Sequence, residues 1–295
     1  MVRSDSWLAQ VAESLGVSGD DVRVIEHDGR GKVARVGCDA VAKLYPTGST
    51  KLESVIRADE LLREHSIAPR ILKRANVDSA KTVLLFERVE GNMLSYSSLC
   101  DSAYRHRVVD TLARMHSVHG DGYCRNIGSP GAAVSIWDKF LHAHFERCEE
   151  RYVSRTGEVA PTWFLQRVER ALSFVEHASD ILFEIVPSLV HRDVTCDNVI
   201  VSDEGQCKLI DFDLAAFYDP LIDLAKLQLL APPSAAAGIS ELLHDYRRRH
   251  NIEVESFDTR LRLVRALELL WGYPALIQMA SPAALRWKEE LYAAV

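Results

Sequence analysis

The sequence predicts an α+β protein whose strands lie mainly near the N-terminus and whose helices dominate the remainder. Residues 21–45 form short apolar runs separated by turns that contain glycine, which is the pattern of strands. From residue 102 onwards, long segments repeat apolar residues every three or four positions, as amphipathic helices do, and the predicted helices include 161–182 and 256–271. Residues 199–210 interrupt that helical part with two short apolar runs around a turn, which predicts a β-hairpin.

Polar residues stand at the outer ends of this hairpin in a recognisable order. His191, Asp193 and Asn198 precede its first strand as H-x-D-x-x-x-x-N, and Asp211 follows its second strand. Phosphoryl transfer from a nucleotide requires this layout, in which one carboxylate accepts the proton of the attacking hydroxyl while an amide and a second carboxylate hold magnesium. Mg²⁺ takes few protein ligands and leaves its other positions to water and phosphate, so Asn198 and Asp211 suffice.

A purely structural interpretation of the same residues is possible. His191 would then be a core histidine, Asp193 a turn former and Asp211 the end of a strand. The strand, the turn and the Ile210-Asp211-Phe212 sequence that follow at the expected distance favour the catalytic interpretation.

The N-terminal strands carry a second candidate motif for binding phosphates. Gly29, Gly31, Ala34 and Val36 fit G-x-G-x-x-G-x-V, with alanine in place of the third glycine. Taken alone, the glycines are typical of a plain β-turn, but Lys43 follows on the next strand, where a lysine reaches the α- and β-phosphates of a nucleotide. We therefore expect Gly29, Gly31 and Lys43 to bind a nucleotide.

Residues 188–223 resemble the catalytic core of the eukaryotic-like kinase fold, and more closely its small-molecule branch, the aminoglycoside phosphotransferase and choline kinase-like family. Only eleven residues, 212–222, separate Asp211 from Asp223, and no A-P-E sequence follows, so the long activation segment of protein kinases is missing. Residues 219–225 read Asp-Pro-Leu-Ile-Asp-Leu-Ala, which resembles the D-P-x-x-D-L-A of the family. Arg192 is a departure, because many relatives have glycine or asparagine there.

The resemblance implies a bilobal protein-kinase-like fold with a small β-rich N-lobe and a large, mostly helical C-lobe. We expect residues 1–91 to form the nucleotide-binding lobe with its hinge, and residues 92–295 to hold the catalytic loop and a helical acceptor-binding subdomain within 120–187. The resemblance also implies a site that binds ATP and Mg²⁺ between the lobes. Lys43 and the two glycines would bind the phosphates, and main-chain groups of Glu87 and Val89 would lie beside the adenine. Asn198 and Asp211 would bind the metal, and Asp193 would be the base. The role of Asp213 stays open.

Lys43 needs a carboxylate that holds its side chain extended. The helix predicted at residues 50–65 offers Glu53 and Glu60, seven residues apart and so on nearly the same face. Counting back from residues 67–72 favours Glu53, and counting forward from Lys43 favours Glu60. Glu53 is the first choice.

Two further groups of residues have ordinary structural explanations. The cluster around residues 142–150, with two histidines and three glutamates, has no metal-ligand spacing and is interpreted as a solvated helix face. The aromatic residues Trp137, Trp163, Trp271 and Tyr273 either wall an acceptor pocket or, more simply, belong to the core.

Asp223, near the start of a helix, is expected to brace the catalytic loop.

Composition limits the class of protein and of partner. The net charge of −7 disfavours a nucleic-acid partner and is compatible with a cationic substrate. We expect a cytoplasmic protein, because the six cysteines show no C-x-x-C pairing and the N-terminus lacks an apolar signal core. No apolar run has the length of a membrane span, so no membrane association is expected, and no obligate protein partner is evident.

The sequence therefore predicts an ATP-dependent kinase that phosphorylates a hydroxyl of a small molecule. An antibiotic is the first expectation for the acceptor. The alternatives are a metabolic kinase acting on choline, homoserine or a sugar, and a catalytically dead kinase fold used as a binding module.

Overall fold

The computed structural model describes residues 6–25, 32–129 and 134–294. The helices are α1 (Ser6–Leu15), α2 (Thr50–Leu62), α3 (Ser102–His116), α4 (Trp137–Thr156), α5 (Thr162–His177), α6 (Ser179–Phe183), α7 (Leu221–Leu230), α8 (Ala236–Arg249), α9 (Val254–Gln278) and α10 (Ala283–Ala294). The strands are β1 (Val22–Val24), β2 (Lys32–Val36), β3 (Ala40–Pro46), β4 (Ile71–Asp78), β5 (Lys81–Glu87), β6 (Asn92–Met93), β7 (Ser188–Val190), β8 (Val199–Val201), β9 (Cys207–Leu209) and β10 (Ala216–Tyr218). The predicted α+β class is confirmed.

The chain divides into two compact units. The first unit consists of Met1–Leu94, Asn126–Pro130 and Asp197–Ala215. The second unit consists of Ser95–Arg125, Gly131–Cys196 and Ala216–Val295. The hairpin β8–β9 thus belongs to the unit that contains the N-terminal strands.

The first unit is built on a five-stranded antiparallel sheet in the order β1-β2-β3-β5-β4. Apolar side chains on one face of the strands, including Ala34 and Val83, form a core with Val11 and Leu15 of α1. The register places Lys43 of β3 opposite Val33 of β2 and Leu84 of β5, in the middle of the sheet. Neighbours on both sides hold this part of β3, which positions the lysine.

A smaller sheet of three strands in the same unit contains the predicted hairpin, which is formed by β8 and β9. β8 lies between β6 and β9, and both pairs are antiparallel. The turn between β8 and β9 contains Gly205 at φ 86°, a conformation that glycine adopts without strain. Leu209 donates a hydrogen bond to the carbonyl oxygen of Ile67 at 2.8 Å, which ties β9 to the segment after α2.

The second unit is mostly helical, with the short antiparallel pair β7–β10. Its longest helix, α9, contacts α4, α5, α6, α7 and α10. Leu263, Leu267 and Leu270 of α9 are fully buried, which matches the apolar spacing that predicts this helix. Among the described residues, no helix combines the length and the low polarity needed to cross a membrane.

The structure corrects several predicted element boundaries. The single helix predicted over 161–182 is two helices, because Ala178 at φ −100° and ψ 10° leaves helical geometry between α5 and α6. β4 is not predicted from the sequence, because this edge strand alternates weakly and contains two register shifts. α9 continues through Pro274 to Gln278, beyond its predicted end at 271, and Tyr273 and Pro274 are buried there.

Gly128 is required by close packing against α2. A Cβ atom there would lie 2.3 Å from the backbone nitrogen of Ser54 and 2.6 Å from the carbonyl oxygen of Thr50. We expect Gly128→Ala to lower the free energy of unfolding by about 1–3 kcal/mol, because backbone atoms of a helix cannot move aside cheaply. Urea titration measures the change.

Gly19→Ala is the matched control, since a Cβ at Gly19 meets no atom within 4 Å. Equal urea midpoints for the two variants would contradict the packing argument.

Candidate active site

The first unit gathers an ammonium group and two carboxylates at the end of the hairpin. Lys43 Nζ lies 2.7 Å from Asp211 Oδ1 and 3.0 Å from Asp213 Oδ1. Asp211, the second residue after β9, has a left-handed backbone at φ 69°, and a short 3₁₀ turn at Phe212–Leu214 follows it. The Tyr45 hydroxyl donates a hydrogen bond to Asp213 at 3.1 Å. Asp213 is therefore part of this cluster together with Lys43 and Asp211.

Burial and charge act in opposite directions in this cluster. Burial raises the pKa of Asp213 and outweighs the opposing effect of Lys43, while the charge of Asp211 raises it further. Burial lowers the pKa of Lys43, but the two carboxylates more than offset this, and the net pKa lies above the usual value. The site is therefore crowded with negative charge that a cation would relieve.

An apolar cavity of about 360 Å³ opens onto this cluster within the first unit. Lys43, Asn198 and Asp211 form part of its polar lining. The apolar walls include Ile25, Val33, Val41, Phe86, Val89, Met93, Ile200, Ile210 and Phe212. Ile210 donates a hydrogen bond to the carbonyl oxygen of Asn198 at 3.0 Å, which fixes the main chain of Asn198 beside the residue before Asp211.

In the second unit, a buried carboxylate fixes the loop that carries Asp193. The backbone nitrogens of His191 and Arg192 donate to Asp223 Oδ2 at 2.9 Å and Oδ1 at 2.7 Å. His116 Nε2 lies 3.1 Å from Asp223 Oδ2, and its Nδ1 lies 2.7 Å from the Tyr246 hydroxyl. The structure thus contains the bracing contact expected for Asp223.

Asp193 lies at one end of a chain of alternating charges. Lys226 Nζ is 3.6 Å from Asp193 Oδ1 and 3.6 Å from Glu268 Oε2. Glu268 Oε1 is in turn 3.6 Å from the guanidinium of Arg192. Asp193 has 38% of its side chain exposed, whereas Glu268 has 6%, so only the first of the two carboxylates is open to a ligand.

Arg192 adopts a backbone conformation that favours glycine or asparagine, with φ 65°. Its guanidinium lies 4.7 Å from the ring centre of Tyr218 and donates to the carbonyl oxygen of Arg125 at 3.1 Å. These contacts, and the hydrogen bond that its backbone nitrogen donates to Asp223, hold Arg192 in this conformation.

The predicted carboxylate partner of Lys43 is not found in this structure. Glu53 lies 3.9 Å from Arg74, and Glu60 lies 2.8 Å from Arg57. The physical reason is that Asp211 and Asp213 already surround the lysine ammonium. Glu87 and Val89 line the cavity, while Gly29 and Gly31 lie outside the described residues.

Sequence reasoning missed Lys226 and Glu268 and left Asp213 without a role. Lys226 stands three residues after Asp223 on α7, so helical spacing alone could have placed both on one face. Glu268 offered no such signal, because only the packing of α9 brings it to Lys226.

The interpretation of residues 142–150 as a solvated face is wrong for His144, which is fully buried. Its ring packs edge-on against Trp271 at 4.4 Å between centroids, and its Nδ1 lies 3.2 Å from the Tyr218 hydroxyl. In the described part of the chain, no group of three or more histidine, cysteine or carboxylate residues has the arrangement of a metal site.

Comparison with known proteins gives one family. A family model described as the phosphotransferase enzyme family matches residues 14–257. None of the curated protein sequences compared with the chain matches it.

Solved structures share the fold at low sequence identity. The aminoglycoside phosphotransferase APH(4)-Ia has a TM-score of 0.75 at 17% identity, over 99% of this chain and 98% of the other. A ternary complex of a thermostable mutant of that enzyme with AMP-PNP and hygromycin B has a TM-score of 0.74 at 18% identity, over 99% and 98%. A choline/ethanolamine kinase family protein from Mesorhizobium loti has a TM-score of 0.69 at 18% identity, over 99% and 94%. These similarities confirm the predicted kinase-like fold.

The buried His144 makes stability depend on pH. Burial lowers its pKa well below the usual value, and nearby arginines lower it further. The unfolded chain therefore binds a proton that the folded protein does not, and stability falls as the pH drops below about 6.5. We expect this residue to contribute a slope of at most about 1.4 kcal/mol per pH unit, which His144→Gln removes.

Free energies of unfolding from urea titrations between neutral pH and mild acid test this expectation. His142→Gln on the same helix controls for the loss of an imidazole. An unchanged slope in His144→Gln would show that other groups cause the acid dependence.

Proposed function

Because the chain belongs to the phosphotransferase enzyme family, we propose that it transfers the γ-phosphate of ATP to a hydroxyl of a small molecule. Membership of the family makes the protein a small-molecule phosphotransferase. The identities of the phosphate donor, the metal and the acceptor are what we propose. The observation that carries the proposal is the meeting of Lys43 and Asp211 at 2.7 Å beside an apolar cavity.

The cavity suits a nucleotide on chemical grounds. Its apolar walls match the faces of an adenine ring, and main-chain groups of Glu87 and Val89 at its edge would bind the polar rim of the base. Lys43 at its polar end would bind the phosphates as a point charge. APH(4)-Ia complexes with AMP-PNP and ADP support a nucleotide donor.

Asn198 and Asp211 would hold Mg²⁺. An amide oxygen and a carboxylate are hard oxygen ligands, and both residues line the same cavity, so the residues present fit this ion. A magnesium ion bound there would neutralise phosphate charge in the transition state. Asp213, 3.0 Å from Lys43, would keep the lysine ammonium beside the phosphates.

Asp193 would accept the proton of the acceptor hydroxyl at a carboxylate oxygen. The Asp223 contacts fix the backbone of its loop, and Lys226 at 3.6 Å restrains the side chain by charge. Most of the rate enhancement in such a site comes from orientation and charge neutralisation rather than from an unusual base.

The proposed acceptor is an antibiotic, which would make this a resistance-type kinase. The support is the similarity to an aminoglycoside phosphotransferase solved with hygromycin B. The similarity to a choline/ethanolamine kinase family protein keeps a metabolic acceptor as the alternative. The same catalytic residues would phosphorylate either kind of acceptor.

The first test is ATP consumption with a panel of aminoglycosides, nucleoside and peptide antibiotics, choline and simple sugars. We expect one chemical class to accelerate turnover and Asp193→Ala to reduce kcat by about 10²–10⁴-fold, because the proton acceptor is lost. Asp197→Ala, an exposed carboxylate in the same loop, is the matched control.

Asp211→Ala, measured beside these variants, should abolish the stabilisation of the protein by ATP with magnesium. Unchanged turnover in Asp193→Ala would contradict its role as the base. ATP binding without phosphorylation of any compound would favour the binding-module alternative.

Lys226 is expected to matter for the chemical step and not for the nucleotide. Lys226→Met should lower kcat by about tenfold or more, because Asp193 loses its restraining charge, and should leave the KM for ATP unchanged. Lys226→Arg keeps the charge and should restore part of kcat. An equal fall of kcat in both variants would indicate a packing role instead.

A further inference from the structure

Two arginines of the second unit stack on one tryptophan. The guanidinium of Arg151 lies 4.2 Å from the centre of the Trp271 ring, and that of Arg125 lies 5.6 Å from it. Arg151 Nε donates to the carbonyl oxygen of Trp271 at 2.6 Å, and Arg125 Nη2 donates to that of Ala143 at 3.1 Å. All three of Arg125, Arg151 and Trp271 are half-buried, so they are fixed in place yet open to a ligand. We call these three residues the arginine–tryptophan cluster.

In the part of the chain that the structure describes, no carboxylate forms an ion pair with a guanidinium group of the cluster. Among the described residues, no aspartate or glutamate oxygen lies within 4 Å of the Arg125 or Arg151 guanidinium, although other partly buried arginines do have such partners. Arg260, for example, pairs with Asp219 through two contacts of 2.8 Å. Glu268 lies on the same side of α9, but Arg192 and Lys226 already share it.

The local electrostatic field is correspondingly positive. Burial and the charges of Arg155 and Arg192 lower the pKa of Arg151 to about 10, and the charge of Glu268 opposes this only in part. Burial and the charges of Arg147 and Arg192 also lower the pKa of Arg125. Both guanidiniums stay charged at neutral pH, and an anion beside them would relieve their mutual repulsion.

The cluster is connected to the loop of the proposed base. Trp271 stands three residues after Glu268 on α9, and Glu268 reaches Asp193 through Lys226 by two contacts of 3.6 Å. On the other side, the carbonyl oxygen of Arg125 accepts a hydrogen bond at 3.1 Å from Arg192, the residue before Asp193. The cluster is thus linked on two sides to the residues that position Asp193.

We propose that Arg125 and Arg151, supported by Trp271, bind a carboxylate or phosphate group of the acceptor while a hydroxyl of the same molecule is phosphorylated. Guanidinium groups suit this role because their planar donors match two oxygens of an oxyanion at once. This proposal rests on the proposed function and narrows it: the acceptor is an anionic hydroxy compound, and polycationic aminoglycosides are disfavoured.

The alternative is that the arginines only join α4 to α9. In that case their replacement would lower the melting temperature without changing which compounds bind. Arg151→Lys separates the two explanations, because lysine keeps the charge and much of the packing but loses the planar set of donors.

The experiment compares compounds that differ mainly in charge: glucose, glucosamine, gluconate and glucose 6-phosphate, with glycerol, glycerate and glycerol phosphate as a second series. Binding is measured by calorimetry without ATP, in the full-length wild type and in Asp193→Ala, so that it does not depend on turnover. We expect at least one anionic member to bind about tenfold or more tightly than its neutral counterpart. Comparison of the carboxylate compounds with the phosphate compounds shows which oxyanion is preferred.

Arg125→Gln and Arg151→Gln should each remove that preference, and Arg151→Lys should retain part of it. Arg155→Gln, one helical turn further along α4 and 3.4 Å from Gln278, is the control and should keep the wild-type preference. Equal binding of anionic and neutral members, binding of neither, or a preference that survives both glutamine variants would overturn the proposal. If anions bind and binding depends on the arginines, but no compound is phosphorylated, the result would contradict the kinase function and still support the anion site.

Discussion

The buried carboxylate of Asp223 is the constraint on which the proposed catalytic loop depends. It is fully buried and accepts hydrogen bonds from two consecutive backbone nitrogens, those of His191 and Arg192, and contacts His116. A buried backbone donor without a partner costs as much as a lost hydrogen bond, so the loop conformation in which both nitrogens donate to Asp223 is favoured. That conformation has a left-handed residue at Arg192 and fixes the backbone from which Asp193 extends.

In the first unit, the corresponding constraint is charge. Asp211 and Asp213 both contact Lys43, and the more exposed Lys51 stands 3.5 Å from Asp213. Two carboxylates in a partly buried site repel each other, and the ammonium of Lys43 offsets this only in part. Such a site is suited to receive a cation together with an anionic ligand. The same geometry explains why neither Glu53 nor Glu60 contacts Lys43.

Net charge and local charge lead to opposite expectations for the acceptor. The chain carries −7 overall, which by itself is compatible with a cationic substrate. The arginine–tryptophan cluster, however, concentrates positive charge without a carboxylate partner on the side of α9 that also bears Glu268. Because electrostatic attraction is strongest at short range and in partly buried surroundings, the local arrangement has more influence on acceptor choice than the sum over the chain.

The fold class, the family and the order of the polar residues around the hairpin can all be predicted from local patterns in the sequence. These patterns are strand alternation, helical spacing and fixed intervals such as that from Asp193 to Asn198. Tertiary structure alone decided which distant charges meet. The partner of Lys43 comes from 168 residues further along the chain, and Glu268 reaches Lys226 only through the packing of α7 against α9. The pairing of Trp271 with Arg125 and Arg151 has the same origin. Helical periodicity shows which side of a helix is apolar, but not which other helix that side will face.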